Sequence, residues 1–266
     1  SYSNQKILKN YQIERELREA IEYKRIECWL QPKVDENHQL CSAEVLVRWR
    51  NKEDNSIIMP DTFIPIAETS GMMDVLGEVI MHQTAQMLNE IYHFNPQLTL
   101  AMNVSPIQFL KDDFIENLVN IFKQYKAPLS NLIIEVTENL LIDEVQKVNE
   151  KVILLTSLGV KFSIDDFGTG YSNLQRIQQI PINELKIDKS FTWQCSDSEQ
   201  GYELVKAIIA MAKSLHFSVV AEGVETLQHA EQLIELGANY LQGYYFNKPM
   251  QYAAFQQTYL KQAPAN

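Results

Sequence analysis

The stretch KFSIDD at residues 161–166 decides how this chain is read: a short alternating apolar run that ends on two adjacent carboxylates. Neighbouring side chains on an extended strand point to opposite faces, so Asp165 and Asp166 reach one site only if the strand ends or bulges there. Phe167-Gly168-Thr169-Gly170 follows, and its two glycines permit such a bend. The bland alternative is a capped turn before a helix, which is what a lone pair of aspartates usually marks.

The pair does not stand alone. LTLAMN (98–103), NLIIEV (131–136), NELKID (183–188), SVVAEG (218–223) and YLQG (240–243) are also short apolar runs, and they carry Asn103, Glu135, Lys186, Glu222 and Gln242 near their ends. Helix-like stretches separate them: DFIENLVNIFKQY, DEVQKVNEKVILLTSLG, the short SNLQRIQQI at 172–180, QGYELVKAIIAMAKSL, TLQHAEQLIELG and finally QYAAFQQTYLKQ. A β/α barrel builds an active site in this way, with functional groups at the C-terminal ends of successive parallel strands. Acids gathered on one rim repel one another unless a cation lies between them, so a metal site is the first expectation.

Upstream, helical spacing of Ile13, Leu17 and Ile21 predicts a leading helix over 11–26. A strand over 27–34, a turn at Asp35 to His38 and a second strand from Cys41 to Trp49 follow. Too few residues separate these strands for a parallel crossover, so they are predicted to pair as an antiparallel hairpin. With the hairpin, eight strands are expected. Between them and LTLAMN, Asp61 is a candidate cap for a long helical region broken near Gly71, and Gly159 and Gly237 sit where helix C-caps belong.

The 266 residues suit one barrel, and no linker or low-complexity segment divides them, so one domain over 1–266 is expected. The formal net charge of −11 argues against duplex nucleic acid or an anionic membrane as partner. Cys28, Cys41 and Cys195 form neither a disulfide framework nor a zinc ribbon, which points to a reducing, cytoplasmic setting. No apolar run reaches the roughly 20 residues of a membrane span, and the N-terminus has no signal-peptide core. It reads as the start of a domain excised from a larger protein.

Glu44 lies within the second strand, where an isolated acid is costly to bury without a partner. Together with Asn103, Glu135, Asp165 and Asp166 it makes a set of hard oxygen donors, suited to Mg²⁺ or Mn²⁺. The five histidines fall in turns or helices, so zinc is not expected. Two hard ions would assist an in-line phosphoryl displacement, with Glu222 on the second ion. Lys186 is open to two readings, a group that orients water or charge and a salt-bridge partner of a neighbouring carboxylate. Arg48 shares a strand face with Glu44 and is open to a phosphate contact or a surface ion pair. Gln242 can serve a metal-bound water or a base edge. Glu138 and Glu225, each three residues past a site acid, either brace loops or touch substrate.

The ordered segments LQPKVD, AEVLVRW, FIPIAETSG, MNVSPIQF, IIEVTEN, SIDDFGTGYSNL, LKIDKSF, VVAEGVET and QGYYFNKPM resemble the motif series of the EAL-domain cyclic di-GMP phosphodiesterases, over about residues 14–260. The resemblance implies a modified TIM (β/α)8 barrel with one antiparallel strand, and hydrolysis of cyclic di-GMP to linear pGpG with Mg²⁺ or Mn²⁺. It implies Glu44, Asn103, Glu135 and Asp165 as one metal set, Asp166 and Glu222 on the second-ion side, and Lys186 as the water-positioning lysine. Gln242 matches the glutamine of the QGY motif, Gln31 and Arg48 match substrate contacts, and Glu138 matches a glutamate that steadies the loop carrying Asp166. It also implies a homodimer, and sensor or GGDEF domains beside this one in a longer protein.

Three departures stand out. Val45 replaces the alanine of the signature triplet, where only a packing adjustment is expected. Ser172-Asn173-Leu174 replaces Ser-Ser-Leu, and the segment 192–200 (TWQCSDSEQ), read as a loop near the family's dimer surfaces, is unlike its usual acidic counterpart. The competing function is a receptor that binds cyclic di-GMP without cutting it. Such receptors typically lose a ligand or the lysine, and none is missing here.

Overall fold

The computed structural model describes residues 2–141, 144–168 and 177–261. β1 (Ile26–Asp35) and β2 (Leu40–Arg50) form the predicted antiparallel hairpin, with Gln31 opposite Glu44 and Lys33 opposite Ser42. Asp35 builds the turn: its Oδ1 accepts from the backbone N–H of Asn37 at 2.8 Å and of Gln39 at 3.0 Å. From β2 the sheet continues in parallel through β4 (Thr99–Asn103), β5 (Leu132–Thr137), β6 (Lys161–Phe167), β7 (Glu184–Ile187), β8 (Ser218–Ala221) and β9 (Tyr240–Gln242). β9 then pairs antiparallel with β1, which closes an eight-stranded barrel in which β1 alone runs against its neighbours. A two-residue strand, β3 (Ile57–Ile58), pairs with Trp49 and Arg50 outside the ring. It is too short to show alternation, and the sequence count of eight left it out.

The helices follow from amphipathic periodicity. α1 (Tyr2–Glu22) starts earlier than residue 11 and seats Leu17 and Ala20 in the core, while residues 4–12 stay exposed. α2 (Pro60–Ser70) and α3 (Met73–Phe94) are separated at Gly71, whose φ of 75° is left-handed. Asp61 is not the cap: Met59 holds that position, Pro60 opens the helix, and Asp61 lies in the first turn, where a carboxylate meets the positive end of the dipole. α4 (Pro106–Phe109), α5 (Phe114–Gln124), α6 (Val145–Ser157), α7 (Lys189–Asp197), α8 (Glu199–Ser214), α9 (Leu227–Leu236) and α10 (Tyr252–Phe255) add to the outer layer among the described residues. The segment 192–200 is therefore helical on both sides of Ser198, not a loop; Ser198 Oγ accepts from Gly201 N at 3.0 Å to start α8. The short helix expected over 172–180 and the Ser172-Asn173-Leu174 departure fall largely outside the described residues. Gly159 and Gly237 take φ of 97° and 106° after α6 and α9, as C-caps do.

Strand alternation splits the barrel into two environments. On β5, Leu132, Ile134 and Val136 point outward into the main core, while Ile133 and Glu135 point into the ring. Val45 is 3% exposed and belongs to the same outer core, so the extra methyl groups are absorbed there. Each buried aliphatic or aromatic side chain in this layer contributes about 1.5–3 kcal/mol, enough to support a polar interior. The three cysteines are free thiols, and no helix among the described residues is long and apolar enough to cross a membrane.

Candidate active site

The strand register gathers the predicted side chains at the C-terminal mouth. Asn103 lies opposite Glu135 across β4 and β5, and Asp165 opposite Thr137 across β5 and β6. The β6–β7 ladder slips between Ile164 and Phe167, and Asp166 takes a φ of 55°. That bulge is the bend that a pair of adjacent strand residues needs to face one site. Two groups of carboxylates result, each with one oxygen per residue within 4.8 Å of the others: Glu44, Glu135 and Asp165, and Asp165, Asp166 and Glu222. Asp165 is common to both.

Lys186 stands at the centre with no solvent exposure. Its Nζ lies 2.8 Å from Glu135 Oε2, 2.9 Å from Glu222 Oε1, 3.2 Å from Glu44 Oε2 and 3.9 Å from Asp165 Oδ1. Burial would lower its pKa, but Glu135, Glu222, Glu44 and Asp165 together hold it well above the usual lysine range. One ammonium cannot balance this many acids. Burial and the nearby Glu44 push Glu135 well above the usual carboxylate range. Burial raises Glu222 to about 7 against the pull of Lys186, and burial with Asp165 raises Asp166 to about 6. Glu44 goes the other way: burial is outweighed by Lys186, Asn103 and Gln242, and its pKa falls to about 2.

Amides complete the rim. Asn103 Nδ2 donates to Glu44 Oε1 at 2.9 Å, and Gln242 Nε2 donates to Glu44 Oε2 at 2.6 Å and to Gln31 Oε1 at 3.0 Å. Gln31 Nε2 donates in turn to the Asn247 carbonyl at 3.2 Å. Arg48 is not a surface ion pair: it is buried, donates from Nη1 to the Val47 carbonyl at 2.9 Å, sits 5.8 Å from the Trp29 ring, and has no carboxylate within 4.0 Å among the described residues.

Two cavities meet at this rim. One of about 390 Å³ is bounded by Asn103, Glu135, Asp165, Asp166, Asp61 and Pro106. The other, about 610 Å³, is bounded by Gln31, Glu44, Arg48, Glu222, Gln242 and Trp193, among others. Glu225 is exposed on the wall of the larger cavity. Glu138 is buried just after β5, and neither carboxyl oxygen has a hydrogen-bond partner among the described residues. The loop beyond Gly168 that it is expected to steady lies outside them.

Sequence reasoning missed a second buried ion pair, Lys33 with Glu184 at 3.2 Å, one layer deeper in the barrel. The signal was present: Glu184 precedes Lys186 by two residues and Lys33 follows Gln31 by two, which places each on the inward face of its strand. A third cavity of about 450 Å³ opens over this pair at the opposite mouth, away from the acid rim. Lys189, Trp193 and Tyr244, on the wall of the larger rim cavity, were also missed because none sits in an apolar strand run, and Asp188 was passed over although it closes NELKID, because Lys186 was read as that strand's functional group.

Comparison with known proteins converges on one family. The EAL-domain family profile matches residues 14–249. The cyclic di-GMP phosphodiesterase NbdA of Pseudomonas aeruginosa is 36% identical over 251 residues, which is 92% of this chain and 32% of NbdA. The cyclic di-GMP phosphodiesterase PdeL of Escherichia coli is 34% identical over 233 residues, 87% of this chain and 64% of PdeL. The chain thus spans about a third of the length of the first relative and under two thirds of the second. The solved cyclic di-GMP complex of the PaMucR phosphodiesterase superposes with a TM-score of 0.87 at 32% identity, covering 92% of this chain and 99% of that one. A closed barrel with one reversed strand, an acid rim around a buried lysine, and a profile match over most of its length lead to one assignment: the chain belongs to the EAL domain family.

Proposed function

We propose that this chain is a metal-dependent phosphodiesterase that hydrolyses cyclic di-GMP to linear 5'-pGpG and so lowers a second messenger in bacterial signalling. The observation that carries the reading is the pair of carboxylate groups sharing Asp165 around the buried Lys186. The donors fit hard divalent ions: all are oxygens, negative charge exceeds positive, and Glu135 Oε1 is buried without a hydrogen-bond partner among the described residues. Glu44, Asn103, Glu135 and Asp165 would hold one Mg²⁺ or Mn²⁺, and Asp165, Asp166 and Glu222 a second. Two such ions supply Lewis acidity and lower the pKa of water in an in-line displacement.

The chain's own groups divide the remaining work. In the metal-free chain the neighbouring carboxylates favour the protonated form of Lys186, which suits a fixed cation and donor that positions water or a phosphoryl oxygen. Glu222 and Asp166 join it as catalytic groups from the second-ion side. Arg48, with a planar fork and no carboxylate within 4.0 Å among the described residues, suits a phosphate, and Gln31 and Gln242 present amides to the larger cavity. Glu138 and Glu225 brace the neighbouring loops.

We infer further that residues 1–266 form one cytoplasmic domain that dimerises and sits beside sensor or GGDEF domains in a longer protein. The length of the relatives supports the fusion, and the net charge of −11 supports an absence of duplex nucleic acid or membrane contacts by this domain. The receptor reading is favoured by no observation, since every rim position carries a competent group. The test is a time course by nucleotide chromatography with Mg²⁺ or Mn²⁺, with and without chelator. Cyclic di-GMP should convert to pGpG, and Glu44→Ala should abolish conversion; no turnover with either ion rejects the reading, and tight binding beside undetectable hydrolysis supports the receptor.

A further inference from the structure

Trp193 stands out on the wall of the larger rim cavity. It is the exposed one of the three tryptophans, at 37%, while Trp49 is buried and Trp29 half-buried. Its indole N–H donates to the Gly223 carbonyl at 3.0 Å, and Gly223 directly follows Glu222. The hydrogen-bonding need of the indole is therefore met by protein, and what remains is its apolar ring. Lys189, one turn earlier on α7, places Nζ 5.5 Å from the ring centroid.

The local backbone is built for this approach. Gly223 has a φ of +70°, and a Cβ there would lie 2.4 Å from Lys189 Cβ and 3.3 Å from Trp193 Nε1. Only glycine lets the first turns of α7 come this close to the end of β8. The indole is thereby held on the wall that also carries Glu222 and Glu44. A tryptophan serving the core would bury its ring; this one fixes its edge on Gly223 and stays 37% exposed on a cavity wall that Glu222 and Glu44 also line.

We propose that Trp193, with Lys189, is a purine platform that makes the site select a nucleobase-bearing phosphodiester over a base-free one. The inference rests on the phosphodiesterase reading and adds a residue to it. Base stacking on an aromatic ring tolerates any purine, and the neighbouring ammonium is placed to leave the ring for a phosphate oxygen of the same nucleotide. The departure from the family's usual sequence at 192–200 thus bears on substrate choice.

The test compares cyclic di-GMP with its abasic analogue, the same cyclic ribose-phosphate diester without bases, in wild type, Trp193→Ala and Trp193→Phe. For Trp193→Ala the ratio of kcat/KM between the two substrates should fall about tenfold, through KM for cyclic di-GMP, and Trp193→Phe should recover most of it. An unchanged ratio overturns the proposal, because a purely structural loss lowers both substrates together. Fluorescence gives a readout independent of turnover. Cyclic di-GMP should quench the wild-type emission, and the quench should vanish in Trp193→Phe although Trp29 and Trp49 remain. A quench that persists there overturns the platform. A wild type that is quenched but turns over neither substrate keeps the platform and rejects the phosphodiesterase.

Discussion

Lys186 Nζ lies 2.8 Å from Glu135 Oε2, and solvent reaches neither side chain. In a barrel interior this contact ties a fully buried cation to the most deeply buried of the rim acids among the described residues. Removing one partner of a buried ion pair costs about 3–5 kcal/mol, because the other is left uncompensated. Lys186→Met should therefore lower the stability of the chelated protein. The deficit should be larger at pH 8 than at pH 5, since at the lower pH protons on Glu135, Glu222 and Asp166 take over part of the lysine's neutralising role. Thermal denaturation in EDTA at the two pH values checks this. An equal deficit at both would mean that only packing was lost.

The raised carboxylates give the metal-free protein a pH dependence of definite sign. Glu222 titrates near 7 in the fold, above its ordinary value of 4.5, so between these pH values the folded state binds more protons than the unfolded one. Stability then falls as pH rises through this window, by about 3 kcal/mol shared between Glu222 and the groups that titrate with it. Asp166 acts in the same direction up to about pH 6. Melting curves in EDTA should drop by about 2 °C per kcal/mol lost, and Glu222→Gln should flatten the trend. Mg²⁺ or Mn²⁺ in excess should do the same for the wild type, because cations then replace protons between the acids. A wild type whose melting temperature rises from pH 5 to pH 7.5 in EDTA would contradict this charge balance.

Much of this arrangement was legible in the chain. Apolar runs ending on Asn103, Glu135, Asp165 and Glu222 state both the barrel and its functional rim, since strand alternation fixes which residues face inward. The short spacing between the first two strands likewise forced the reversed β1. The bulge at Asp166 was foreseeable only as a requirement: two adjacent acids demanded a bend, but its left-handed backbone is a tertiary outcome. Asp61 misled because an acid after proline looks like a cap, whereas the proline itself opens the helix. Lys33, Glu184 and Trp193 went unread for another reason. The inward direction of Lys33 and Glu184 follows from their two-residue spacing to Gln31 and Lys186, but which groups meet, Lys33 with Glu184 and Trp193 with Gly223, depends on the closed ring and on α7 bringing distant stretches of chain together.

Variants of Arg48 are expected to separate substrate binding from chemistry. Its guanidinium is buried against Trp29 and unpaired by any carboxylate within 4.0 Å among the described residues, so a phosphate would meet a fork already in place. A hydrogen bond to a charged group is worth about 1.5–3 kcal/mol, so Arg48→Ala should raise KM for cyclic di-GMP at least tenfold. Arg48→Lys should recover little, because a point charge does not reproduce the bidentate fork. Steady-state kinetics with both variants decide it; full rescue by lysine would reduce the role of Arg48 to charge alone.

The Lys33–Glu184 pair tests whether the deeper polar layer stabilises the barrel or merely satisfies itself. Lys33 is 1% exposed, and although burial lowers its pKa, Glu184 with the rim acids brings it above the usual lysine value. Lys33→Met strands a carboxylate in the ring and should cost about 3–5 kcal/mol, visible as a fall of about 6–10 °C in melting temperature. The double variant Lys33→Met with Glu184→Met removes both charges and keeps the volume, and replacing a buried pair in this way is often neutral or stabilising. It should therefore melt close to the wild type. If the double variant is as unstable as the single one, the ammonium is needed in its own right, and the most direct reason would be its field on Glu135 and Glu44 one layer above.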